Sequence, residues 1–124
     1  MMKQMLKYIE LKTGYSDDGP AWIAYVEFSK SGRTIYFNNM VIASNGHGGG
    51  RNVESGDIYW VTGVKKKGSN RHVFGKGKIK IESKATKEYL ELTEQSQIDL
   101  SMFEIVEIEK TDKTRFNEIE NRKI

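Results

Sequence analysis

Cysteine is absent from this 124-residue chain. That excludes disulfides, thiolate metal sites and cysteine nucleophiles. Histidine occurs only at positions 47 and 72. His47, His72 and Asp17 are widely spaced and form no compact metal-ligand signature. Asp17 and Asp18 are adjacent, so they do not share an orientation on a regular element and read as turn residues. No catalytic, cofactor-binding or metal-binding residue is assigned, and the expectation is a nonenzymatic protein without a cofactor. No apolar run approaches the roughly 18 to 20 residues that span a bilayer. The N-terminal residues carry no long apolar run and no small-residue cleavage signal. The chain is therefore expected to be cytoplasmic, with no membrane partner.

Proline is nearly absent too. The single one, Pro20, can begin a strand but not sit inside a ladder. What the chain has instead is short alternating apolar runs punctuated by glycine. Around Leu6 and Tyr8, both parities contain apolar residues, which fits a short strand buried on both sides. Trp22, Ala24, Val26 and Phe28 share one parity of the clearest strand. Gly32 suits a turn before Thr34, Ile35, Tyr36 and Phe37, so these two runs predict an antiparallel hairpin. Asn38 and Asn39 then end the second strand, bend it or form a bulge. Residues 44–50, SNGHGGG, read as a mobile connection or an anion-binding nest. They lack the ending and the strand-to-helix context of a phosphate loop.

Residues 58–64 predict a further strand, and Gly63 suits the curvature of a barrel. Ile79 and Ile81 are expected to face a core, with Lys78, Lys80 and Glu82 outside. Ser83 is a candidate N-cap for a short helix over 84–92. Ile98, Leu100 and Met102 alternate, and residues 103–108 suggest a strand with a bulge between Ile105 and Val106. The pattern predicts a single mainly β domain over 1–110. Residues 111–124 form a polar tail or a short amphipathic helix. The fold expected is a small, strongly curved antiparallel sheet or partly open SH3/OB-like barrel with one short helix.

Charge is uneven along the chain. Residues 65–87 hold nine basic side chains and one acid, a net of +8, whereas the whole chain is only +3. Such asymmetry points to an anionic partner. The candidate partner-binding residues are Arg33, Tyr59, Lys65, Lys66, Lys67, Arg71, Lys76, Lys78 and Lys80. Tyr59 and Trp60 must face opposite sides of a strand. Trp60 is assigned to the core and Tyr59 to the surface.

Two readings follow. The first is a protein-interaction module that binds an acidic protein through the basic hairpin or a sheet edge. The alternative is a nonenzymatic nucleic-acid-binding domain, in which lysines attract phosphate and aromatics stack on bases. The segments GPAW, SGRTIYF and WVTGVKKKGSNRH carry a further signal. Across residues 6–92 the chain resembles a family of small uncharacterised bacterial proteins. That resemblance implies one small domain type and transfers no catalytic residue.

Overall fold

The computed structural model describes residues 3–12, 20–29, 31–46, 48–65 and 78–111. Eight strands, one 3-10 turn and one helix follow in chain order. They are β1 (Lys3–Lys12), β2 (Ala21–Phe28), β3 (Thr34–Phe37), β4 (Met40–Ser44), β5 (Gly49–Asn52) and β6 (Ile58–Thr62). Then come β7 (Ile79–Glu82), the 3-10 turn (Ser83–Ala85), α1 (Thr86–Thr93) and β8 (Phe103–Val106).

The first six strands pair in the order β1-β6-β5-β4-β3-β2, and β2 returns to pair with β1. All six pairings are antiparallel. The sheet therefore closes into a barrel, which removes the open edges of these strands. Alternation decides which side chains fill it. Ile9, Ala24, Val26, Ile35, Phe37, Ile42, Tyr59 and Val61 form one buried cluster inside.

The middle of β1 and the start of β2 are also shielded from water on their opposite parity. Tyr8, Ala21 and Ile23 pack outside the barrel against Ile79, Ile81, Tyr89 and Phe103. This second core explains why β1 and β2 are apolar on both faces. Fully burying a residue such as Ile23 stabilises by about 1.5–3 kcal/mol. Within the same wall the Tyr8 hydroxyl donates to Glu10, which is fully buried.

The hairpin expected between β2 and β3 is present. The next turn resolves the alternatives at Asn38 and Asn39. Both have positive φ, 48° and 58°, and Phe37 pairs directly with Met40. Positive φ at both central residues is the requirement of a type I′ turn, whose twist matches the strands it joins.

The glycine-rich stretch is not a simple connection. Gly49 and Gly50 begin β5. A Cβ on Gly50 would lie 2.4 Å from the Ala43 carbonyl oxygen, and one on Gly49 would lie 2.5 Å from that of Tyr59. The glycines are there because neighbouring strands approach too closely for any side chain.

Two strands lie outside the barrel. β7 adds in parallel to the first part of β2, at Trp22 and Ile23, while β3 takes Glu27 and Phe28. The edge of β2 thus forks. At the fork, the Tyr25 amide donates to Oε1 of Glu82 at 3.0 Å. Glu82 is accordingly buried rather than outward, because it supplies an acceptor that no ladder strand provides there. β8 then adds in parallel to β7.

The helix starts later than the sequence suggests. Ser83 makes no cap; its hydroxyl donates to Glu107 at 2.7 Å. α1 ends at Glu94 in the left-handed conformation, φ 57°, and the Gln95 amide bonds back to Leu90. Residues 98–102 form no strand, with a turn over 100–102, and the β8 ladder is regular through Ile105 and Val106. The tail over 112–124 lies outside the described residues.

Candidate functional site

The expected cationic hairpin is only partly described. Lys66, Lys67, Arg71 and Lys76 lie outside the described residues, as do His47, His72 and Phe74. Lys65 and Lys78 are exposed on either side of that segment, and Arg33 is exposed in the β2–β3 turn. Lys80 is half-buried, with Nζ 5.6 Å from the centre of the Trp22 ring.

The aromatic assignment on β6 is reversed. Tyr59 is buried inside the barrel, and Trp60 is the half-buried residue on its outside. The physical reason is the partner strand. Tyr59 shares its parity with Val61, which pairs with the buried Ile9 of β1, whereas Trp60 pairs with Glu10 on the opposite face. Burial and the nearby Asp57 carboxylate push the Tyr59 phenol above its usual pKa. Outside, the Lys12 ammonium lies 5.2 Å from the Trp60 ring centre, a cation–π distance. Tyr36 is also buried, against Val41 and Val53. Neither Tyr59 nor Tyr36 offers a face for stacking.

A cleft of about 290 Å³ lies where β2 and β3 meet residues 108–111. Tyr25, Glu27, Tyr36, Glu82 and Lys84 are among its lining residues. The Asn38–Asn39 turn fixes its wall. Asn38 Oδ1 accepts from the Glu109 amide at 3.1 Å, and the Asn39 amide donates to Thr111 Oγ1 at 3.0 Å. Tyr25 donates its hydroxyl to Glu88 at 2.8 Å. Burial, that bond and the negative charges of Glu88, Glu82 and Glu91 push the Tyr25 phenol up to about 12. It is therefore no base at neutral pH. Among the described residues no group of three acidic or histidine side chains is placed to hold a metal ion.

The Tyr25 shift has a measurable consequence. Its ordinary value is 10.0. The folded protein holds this proton more tightly than the unfolded chain. The associated stability is fully present below pH 10 and is lost as pH rises towards 12. A phenolate absorbance titration should show late-titrating tyrosines, because burial also raises Tyr59 and Tyr89, and Tyr25→Phe should remove one of them. A wild-type titration in which every phenol ionises by pH 10.5 would contradict the described environment.

The remaining surface feature is the side of β8 that pairs with no other strand among the described residues. Leu100, Met102 and Ile105 are 60%, 49% and 48% exposed, and they are the exposed large hydrophobics among the described residues. The Ile79 amide donates to the Met102 carbonyl, and Ile79 pairs with Phe103. In a parallel ladder this alternation directs the Ile105 amide and carbonyl away from β7. Nothing in the local sequence pattern isolates this surface. Its apolar residues were visible, but the exposure of Ile105 follows from β8 ending the sheet among the described residues.

No family model, curated protein or solved structure matches this chain. No helix among the described residues is long and apolar enough to cross a membrane.

Proposed function

We propose that this small β-barrel domain is a protein-interaction module that receives an extended segment of another protein along β8. The observation that carries this reading is the outer side of β8. It combines outward backbone groups at Ile105 with the exposed Ile105 side chain, and the exposed Leu100 and Met102 lie in the turn just before the strand. Strand addition uses both kinds of group: main-chain bonds give affinity, and side-chain contacts give specificity. Long apolar edges otherwise invite aggregation. The β8 edge is only four residues long, which suits selective docking better than open-ended association.

The nucleic-acid reading draws on Lys65, Lys78 and the basic segment between them. It loses Tyr59 as a stacking platform, because that ring is buried, and Tyr36 is buried as well.

Ile105→Pro tests the reading cleanly. The substitution removes an outward amide and leaves the bonds to β7 in place. The expected result is an unchanged far-ultraviolet spectrum and loss of a nuclease-resistant protein partner captured by the wild-type chain from native cells. Partners retained equally by Ile105→Pro would remove β8 from the interface. Recovery that disappears on nuclease treatment would favour nucleic acid instead.

A further inference from the structure

The cross-strand rows that end on β8 specify the side chains of the docked segment. Ile23 pairs with Ile81, and Ile81 pairs with Ile105. The first two are fully buried, whereas Ile105 is 48% exposed. An aliphatic row thus runs across three strands and stops at water. On the other face, Trp22 pairs with Lys80, and Lys80 pairs with Glu104. Lys80 covers the Trp22 ring, and Glu104 is exposed at the end of that row.

Directly opposed side chains on neighbouring strands lie about 4.5–5.5 Å apart, so each row constrains its next member. An apolar residue beside Ile105 continues the aliphatic row. A cation beside Glu104 continues an alternation of charge, from Lys80 to Glu104 to the partner. An acid at that position would sit against Glu104 and be disfavoured.

We infer that β8 binds an extended protein segment in which a lysine or arginine opposite Glu104 adjoins an aliphatic residue opposite Ile105. This rests on the reading of β8 as a docking edge. It reverses the partner chemistry expected of the basic segment: the edge selects a basic, apolar strand rather than an acidic one. A second copy of the chain fits less well. Its β8 would bring another Glu104, with Glu107 close by, to an edge that already carries both.

The test uses two nine-residue peptides, one alternating lysine with valine and one alternating glutamate with valine. Each is titrated into the full chain while amide resonances are followed. The lysine peptide should bind about fivefold more tightly, the ratio expected of one cross-strand charge contact changed from attraction to repulsion. Glu104→Lys should invert the order. Glu54→Lys, an equal charge change in the β5–β6 turn, should not. Ile105→Pro should abolish binding of both.

Equal affinities, or an order that Glu104→Lys leaves unchanged, would overturn the partner chemistry. If Ile105→Pro still abolished binding in that case, the edge itself would stand. Binding that survives Ile105→Pro would overturn the edge. So would failure of both peptides at millimolar concentration. Sedimentation as a dimer that Ile105→Pro converts to a monomer would place a second copy on β8 and overturn the basic segment as its occupant.

Discussion

Gly50→Ala is expected to destabilise the protein by roughly 3 kcal/mol, near the upper end of overpacking costs. The new Cβ would stand 2.4 Å from the Ala43 carbonyl oxygen and 2.7 Å from Ile42 Cγ2. The first contact is the more severe. Ala43 and Ser44 pair with Arg51 and Gly50, so relief requires β4 and β5 to move apart. In a closed barrel that displacement reaches the other pairings. For a chain of this length the loss corresponds to a fall of about 10 °C in thermal midpoint. Gly63→Ala is the matched control. A Cβ there meets nothing within 4 Å, so its effect should stay within about 0.5 kcal/mol. A Gly50→Ala midpoint within 2 °C of wild type would contradict the close β4–β5 approach.

Tyr89→Ala should have a comparable effect by a different route. Tyr89 is buried, and its ring centre lies 5.4 Å from that of Phe103. Removing it takes from α1 its one buried side chain. Truncation of a buried aromatic costs about 3–5 kcal/mol, because the neighbours relax only partly into the space. The loss should be uneven. Amides of α1, β7 and β8 should exchange faster, while the barrel interior around Ile9, Val26 and Phe37 retains more protection. Tyr89→Phe keeps the ring and should cost under about 1.5 kcal/mol. Uniform loss of protection in Tyr89→Ala would show that barrel and outer layer unfold as one unit.

These two variants separate what local pattern reveals from what packing decides. The period-two alternation of residues 22–28 was legible because the barrel interior selects one parity of β2. The Gly32 turn was legible because it needs a residue tolerant of positive φ. β5 was not, since GGRN contains no apolar alternation. Its place in the ladder comes from a close approach between strands, which composition alone registers only as an abundance of glycine. Glu82 was misplaced for a related reason. An acid that follows Ile79 and Ile81 reads as a solvent-facing residue until the fork in β2 supplies a buried amide for it to accept.

The candidate site divides in the same way. The charge run over 65–87 is a property of the sequence and suggested an anionic partner. Whether aromatics stand beside those charges depends on which parity of β6 faces inward, and Tyr59 and Trp60 compete for that place. The register of β6 on β1, which sets Val61 beside the buried Ile9, decides it in favour of Tyr59.

By itself the sequence determined a mainly β chain without thiol chemistry, its first hairpin, its helix to within a few residues and the core-facing parity of Trp22, Ile79 and Ile81. These follow from local sterics and from the period at which side chains change face. Only the tertiary structure decided that six strands close on themselves, that β7 and β8 join in parallel, and that β8 keeps an outward side. Ring closure and strand order depend on contacts between residues far apart in the chain, and a single sequence carries no local signal of which distant strands will meet.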